Sequence, residues 1–274
     1  MPVLLYHHPG SLCSQKVRLA LAEKGVPYEA RVIDIGPRGQ NFEPWYARLN
    51  PHMVVPTLVH DGAPVTDSAR IVRYIDERFD GPALHAEDEA GKAAEARWME
   101  VADRLPMREL SYGRVRGPLG WILRRSDRLR LRKLARHRDE NPELRELYEA
   151  KMEEVRRWFA TSRDPVQVGA ILARVDEALG ALDAHLEGRS FIGGERYGVA
   201  DVLWTVVLGR LCALGQGARV AARSNVQAYL ERMKARPSFE EASVWDRVPW
   251  LLILKSMLGM KPASRAGAAA GAHA

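Results

Sequence analysis

The spacing of apolar and polar positions divides the chain into two unlike parts. In the first, short apolar runs alternate with helical periodicity. Val3 to Tyr6 reads as a strand, and from Cys13 or Ser14 onward Val17, Ala20 and Leu21 recur at helical spacing until Gly25 stops the pattern. Tyr28 to Ile33 reads as a second strand and Phe42 to Leu49 as a short helix. Pro56 to Val59 and Ala63 to Val65 read as two strands joined by an Asp61-Gly62 hairpin turn, and Ser68 to Phe79 as a helix. Asp80-Gly81-Pro82 is a linker signal. Beyond it the periodicity is almost wholly helical, with helices predicted near Glu87–Leu110, Pro142–Thr161, Val166–Leu186, Val199–Leu214 and Asn225–Arg236.

The order β-α-β-α-β-β-α within 1–79 predicts a thioredoxin-like domain, followed by an all-helical domain over 87–246. The fold class is therefore α/β plus all-α. A stretch near 111–141 separates the first two large helices, and 247–274 holds an apolar segment followed by an Ala/Gly-rich tail that reads as disordered. Gly198-Val199-Ala200-Asp201 resembles a capping box, with glycine where serine or threonine would cap better.

One short run asks for a functional reading. In Val54-Val55-Pro56-Thr57-Leu58 a proline, which has no N–H for a ladder, opens an apolar strand. X-Pro is also the one peptide bond that adopts the cis form at low cost. Such a bend leaves Val55 to offer its own N–H and C=O to a peptide-like ligand, as an added strand would. Downstream, Asp67-Ser68 opens a helix and is read two ways, as a cap and as a polar contact to that ligand.

Charge changes the picture only locally. The net charge is +6, but ten Lys/Arg and a single Asp lie between Arg114 and Arg138, a balance of +9 that leaves −3 for the rest. The basicity belongs to one segment, so a nucleic-acid partner is not expected. Arg128, Arg130, Arg132, Lys133, Arg136 and Arg138 interleave with Leu129, Leu131 and Leu134, which reads first as a solvated helix with one apolar stripe. An electropositive lid over a substrate site is the sharper alternative, and contact with a membrane surface or RNA, anchored by Trp121-Ile122-Leu123, is the third. The two cysteines, Cys13 and Cys212, suggest no disulfide framework, and a reducing, cytoplasmic setting is expected. No basic-then-apolar leader opens the chain, and no apolar run reaches the ~18 residues of a membrane span. The eight histidines are scattered without H-E-x-x-H, and no C-x-x-C occurs, so no metal site is expected and most histidines read as solvated. His7 and His8 precede Ser11, yet no G-x-S-x-G elbow supports a hydrolase.

Taken together, Tyr6…Ser11-Leu12-Cys13-Ser14-Gln15-Lys16-Val17-Arg18, Leu49-Asn50-Pro51…Val55-Pro56-Thr57-Leu58, Asp67-Ser68 and Tyr197…Ala200-Asp201 resemble the cytosolic glutathione S-transferase superfamily, over roughly Pro2 to Phe239. Ser11-x-Cys13-Ser14 with Val17-Arg18 resembles the zeta class. Ile33-Asp34-Ile35-Gly36 and Asn41-Phe42-Glu43-Pro44-Trp45-Tyr46 resemble the zeta-related reductive dehalogenases of chlorinated hydroquinones. Val54 departs from the zeta pattern, which often carries a polar glutathione contact there.

The resemblance implies glutathione as co-substrate, a small apolar or halogenated aromatic electrophile as second substrate, and a homodimer. It casts Ser11 as hydrogen-bond donor to the glutathione thiolate and Cys13 as a thiol that attacks a glutathionyl intermediate. Gln40, Val55, Pro56, Asp67 and Ser68 are then the binding residues, Asp67-Ser68 taking the γ-glutamyl end. From position alone Cys13 is equally a small apolar residue beneath the helix, Ser11 a helix cap, and Cys212 part of an apolar helical face. The competing functions are a glutathione-dependent thiol transferase acting through Cys13 and a non-catalytic adaptor of the same fold. Pro249 to Leu254 is expected to dock on the helical domain, with a peripheral membrane anchor as the minority alternative.

Overall fold

The computed structural model describes residues 3–36, 38–113 and 117–246. The first part is a four-stranded mixed sheet, β1 (Val3–His7), β2 (Tyr28–Val32), β3 (Thr57–His60) and β4 (Ala63–Thr66), in the order β2-β1-β3-β4. β1 runs parallel to β2 and antiparallel to β3, so Tyr6 faces Arg31 on one side and Thr57 on the other. Asp61 and Gly62 both take positive φ, 52° and 79°, which is what a two-residue hairpin turn requires. The sheet ends in two edges, β2 with Glu29 and Arg31 paired across an exposed face, and β4 with Pro64 opposite Val59. Helices α1 (Leu12–Lys24), α2 (Pro44–Leu49) and α3 (Ser68–Arg78) complete this part.

The second part is helical: α4 (Glu89–Arg104), α5 (Met107–Gly113), α6 (Gly117–Glu140), α7 (Arg145–Arg163), α8 (Pro165–His185), α9 (Val199–Leu211), α10 (Gly217–Ala221), α11 (Ser224–Lys234) and α12 (Pro237–Glu241). Prolines divide two helices that periodicity reads as single. Pro44 opens α2 after a separate turn at Gln40–Phe42, and Pro106 splits α4 from α5. The residues before them, Glu43 (ψ 144°) and Leu105 (ψ 122°), are extended, because the proline ring clashes with a helical predecessor. The pattern read through to Leu214 also breaks earlier: α9 ends at Leu211, the next turn widens, and Gly215 takes φ 72°.

All of α9 is buried, and it forms the centre of the larger core with α1, α3, α4, α8 and α11. Val199–Ala221 is long and apolar enough to cross a membrane by length and composition, with a mean hydropathy of 1.3, but 78% of that stretch is buried inside the protein. Cys212 lies half-buried against this core, and burial raises its thiol pKa. A second core joins Phe42, Ala47 and Met53 of the sheet part to Leu134 of α6 and Tyr148, Met152 and Trp158 of α7.

The basic segment differs from its expected form. It is a helix, but the face it buries runs Arg130, Leu134, His137, while Leu129 is 53% exposed. Arg130 donates to the Ile35 carbonyl (3.2 Å), and Lys133 donates to the Arg38 carbonyl and the Glu43 carboxylate (2.6 Å). His137 stacks on Tyr148, whose hydroxyl donates to the Phe42 carbonyl (3.0 Å). The helix therefore straps the loop between β2 and α2 rather than floating in solvent. The histidines are likewise less solvated than expected: His7 and His137 are buried. The segments Pro249–Leu254 and Pro262–Ala274 and the side chains of Trp121-Ile122-Leu123 lie outside the described residues.

The glycine at the cap of α9 has a steric reason. Only the return arm of the capping box exists, Gly198 N–H donating to Asp201 (2.8 Å). A Cβ on Gly198 would stand 1.8 Å from Glu95 Oε1, so the Glu95 carboxyl fills the space that serine or threonine would need. Glu95 is 3% exposed, and Oε1 has no hydrogen-bond partner among the described residues. Burial, with Asp201 and Asp76 nearby, raises its pKa to about 7, although the Ala86 N–H and His85 act the other way. The folded state holds this proton more tightly than the unfolded chain does. Stability from the site is therefore present at low pH and declines as pH rises through about 7. Replacing Glu95→Gln should remove that decline, giving a variant whose stability gains on the parent by about 2–3 kcal/mol between pH 5 and pH 8 in urea titrations. A parallel pH dependence in both proteins would show the carboxyl to be ionised in the fold.

Candidate active site at the amino end of α1

Between β1 and α1 the chain turns through His8-Pro9-Gly10-Ser11, and each carbonyl in the turn is held. His7 O accepts from Ile33 N–H (2.8 Å) and His8 O from Ser11 N–H (3.0 Å). Pro9 O accepts from Gln15 Nε2 (3.3 Å) and Arg18 Nη2 (3.2 Å), and Gly10 O from Arg210 Nη2 of α9 (2.9 Å). Gly10 has no room for a side chain, because a Cβ would lie 2.7 Å from the Trp245 ring.

Ser11 caps α1, its Oγ accepting from Ser14 N–H (3.3 Å). Because the oxygen accepts from the backbone, the hydroxyl proton stays free to be donated outward. Cys13 is the second residue of α1 and is half-buried. Among the described residues the N–H groups of Leu12 and Cys13 have no partner. Two free backbone donors, a hydroxyl and the positive end of a helix thus converge on one point, an arrangement that favours an anion such as a thiolate.

The Val55–Pro56 bond is cis. β3 begins only at Thr57, and the N–H and C=O of Val55 have no partner among the described residues. The preceding carbonyl is fixed instead. Val54 O accepts from Tyr46 Oη (2.8 Å) and Asn50 Nδ2 (2.8 Å), and both side chains also meet Thr57 Oγ1 at 3.0 Å. Burial, opposed by its hydrogen bonds to Thr57 and Asn50, moves the Tyr46 pKa up to about 12, so the hydroxyl keeps its proton. Asp67 sits at φ 70° at the amino end of α3, its carboxylate accepting from Arg70 N–H (2.9 Å), while Ser68 behind it is buried. Gln40 is turned to a structural bond: its Oε1 accepts from Asp34 N–H (2.7 Å), and its own N–H donates to Asp34 O (2.7 Å).

Tyr46, Asn50, Arg18 and Arg210 were not among the sequence-derived candidates. The Asn50-Pro51 dipeptide was the available signal for a fixed turn. Arg18 entered the sequence reading only as part of the zeta-like run, and nothing local marks Arg210, whose partner Gly10 lies two hundred residues earlier.

Residues 10–78 match the glutathione S-transferase N-terminal domain and residues 147–232 the C-terminal domain. The chain is 38% identical to the tetrachloro-p-hydroquinone reductive dehalogenase of Sphingobium chlorophenolicum, over 88% of this chain and 96% of that one. The chain belongs to the glutathione S-transferase family. It is 30% identical to glutathione S-transferase TCHQD of Arabidopsis thaliana, over 86% of this chain and 88% of that one. A theta-class glutathione S-transferase from the citrus canker pathogen Xanthomonas axonopodis pv. citri, solved with glutathione bound, shares the fold. That match has a TM-score of 0.62 and 24% identity, covering 88% of this chain and 97% of the other. The transferase is thus an enzyme of glutathione-dependent transfer, with glutathione as its co-substrate.

The brace on Val54 gives a direct prediction. Asn50 is fully buried and also accepts from His52 N–H (3.1 Å). Asn50→Ala leaves several buried polar groups short of a partner, so it should cost about 2–3 kcal/mol in urea unfolding and weaken glutathione binding by calorimetry. Parent-like values in both measurements would mean that Tyr46 alone holds the turn.

Proposed function

We propose that this transferase reductively removes halide from chlorinated aromatic substrates, with Ser11 and Cys13 sharing the sulfur chemistry. The observation that carries the reading is the presence of a hydroxyl donor and a thiol two residues apart at the amino end of α1, beside unpaired N–H groups. Similarity to a reductive dehalogenase over nearly the full length of both chains supports the same reading.

In the first step a glutathione thiolate, held by the Ser11 hydroxyl and the helix end, bonds to the ring carbon. The carbon–chlorine bond breaks and chloride leaves. The Cys13 thiolate then attacks the glutathionyl sulfur. A sulfur–sulfur bond forms, the carbon–sulfur bond breaks, and the ring carbon takes its electron pair and a proton. A second glutathione thiolate cleaves the Cys13–glutathione disulfide, which regenerates Cys13 and releases glutathione disulfide. Two glutathiones are oxidised for each carbon–chlorine bond reduced. The tripeptide pairs with Val55 before Pro56, and its γ-glutamyl end meets Asp67 and Ser68, with Gln40 supporting the loop alongside. A free Cys13 thiol suits a reducing, cytoplasmic setting.

Mass spectrometry after exposure to a glutathionyl-hydroquinone should find one glutathione on Cys13, absent in Cys13→Ala. Cys13→Ala should stop dehalogenation yet leave conjugate formation, and Ser11→Ala should lower both by about 10²-fold. Conjugation that survives Cys13→Ala without any adduct in the parent would make this an ordinary transferase.

We also propose a homodimer formed through α3 and α4. A groove of about 680 Å³ between them is lined by Asp67, Arg70, Arg73, Tyr74, Glu100 and Asp103 among others, so it presents both signs of charge for a self-complementary contact. Arg73→Glu should shift the protein to monomers in sedimentation at micromolar concentration. A monomeric parent would remove the proposal.

A further inference from the structure

The transferase reading leaves one polar group at the site unused. His8 follows β1 directly and opens the turn that carries Ser11. Its backbone N–H donates to Ser14 Oγ (3.3 Å), and its Nδ1 accepts from Gly10 N–H (3.1 Å). An Nδ1 that accepts cannot carry the proton of the neutral ring. The proton is therefore on Nε2, which makes Nε2 a donor. Nε2 has no partner among the described residues, and the ring is only half-buried.

The surroundings keep the ring neutral. Burial lowers the His8 pKa to about 4; Asp34 acts to raise it, and Arg18 and Arg210 act with burial. The ring is thus an uncharged donor near two guanidinium groups, a setting that accepts an anion more readily than a cation.

His8 shares the turn with Ser11, whose N–H donates to the His8 carbonyl (3.0 Å). A second substrate brought to a sulfur held by Ser11 therefore comes within reach of the imidazole. Resting on the function proposed above, we infer that His8 Nε2–H donates to an aryl oxyanion of the second substrate and so selects phenolic electrophiles over aromatic ones that lack the oxygen anion. His8 is then a specificity-determining residue whose contact differs from the thiolate contacts of Ser11.

Binding tests this without turnover. The probes are 2,6-dichlorophenol and its methyl ether 2,6-dichloroanisole, titrated by tryptophan fluorescence with S-methylglutathione present. The parent should bind the phenol about tenfold more tightly than the ether, the discrimination expected of one hydrogen bond to a charged group. His8→Phe should bring the ratio to about one, and His8→Gln, whose carboxamide nitrogen can replace Nε2, should recover part of it. S-Methylglutathione should bind His8→Phe as it binds the parent, which checks that the Ser11 turn is intact. A ratio unchanged in His8→Phe overturns the inference, as does loss of phenol and ether in equal measure. If the parent fails to bind S-methylglutathione, the proposed function falls instead, and the phenol-to-ether ratio is still read in its absence.

Discussion

The amino end of α1 is usable because the carbonyl oxygens of the turn before it are all engaged elsewhere. Ile33, Ser11, Gln15 with Arg18, and Arg210 take the oxygens of His7, His8, Pro9 and Gly10 in turn. The donors that follow at Leu12 and Cys13, in the first turn of the helix, have no intrahelical acceptor and find no partner among the described residues. They face whatever binds there. Arg210 belongs to α9 and Arg18 also donates to the Ala242 carbonyl (2.9 Å), so the helical part of the molecule fixes the turn as much as the sheet does. The two parts therefore cooperate at the site itself, not merely at a shared boundary.

This explains the composition of α1, which is unusual for a buried helix. Gln15, Lys16, Arg18 and Lys24 are all buried along with its apolar residues. Lys16 pairs with Asp103 of α4 (2.9 Å), and Lys24 with Asp76 of α3 (2.8 Å). Glu23 takes both Arg236 and Ser238. The Lys24–Asp76 pair is buried on both sides, and such a pair adds little net stability but costs several kcal/mol when one member is removed. Its effect is to set the geometry of the helix that presents Ser11 and Cys13. The strap formed by α6 does the same for the opposite wall, since it and α7 pack on Phe42, Ala47 and Met53 just before the Val54 carbonyl.

Much of this was legible in the sequence, for identifiable reasons. Period-2 runs and the Asp61-Gly62 turn revealed the sheet, and regular apolar spacing revealed α7, α8, α9 and α11. The cis bend at Pro56 was legible because proline has few other reasons to open an apolar strand. What stayed hidden was what depends on distant partners. The buried face of α6 mixes Arg130 and His137 with Leu134, so apolar periodicity does not find it. Gly198 reads as a poor cap until Glu95, roughly a hundred residues earlier, is seen to occupy the missing side chain's place. Histidine burial is similarly unreadable, because His7 depends on Arg18 and His137 on Tyr148 and Glu43.

The two rims of the sheet bear on how the protein avoids edge-to-edge pairing of strands. A bare strand edge is a template for other chains, and proteins block such edges with charge or proline. Here β2 carries the Glu29–Arg31 pair outward, and Pro64 removes a donor from β4. Neither rim readily recruits another backbone, whereas Val55, at the mouth of an interior strand, keeps both of its main-chain groups available. The sheet therefore discourages strand addition along its length and admits it at one residue, long enough for a tripeptide and too short to seed a fibril.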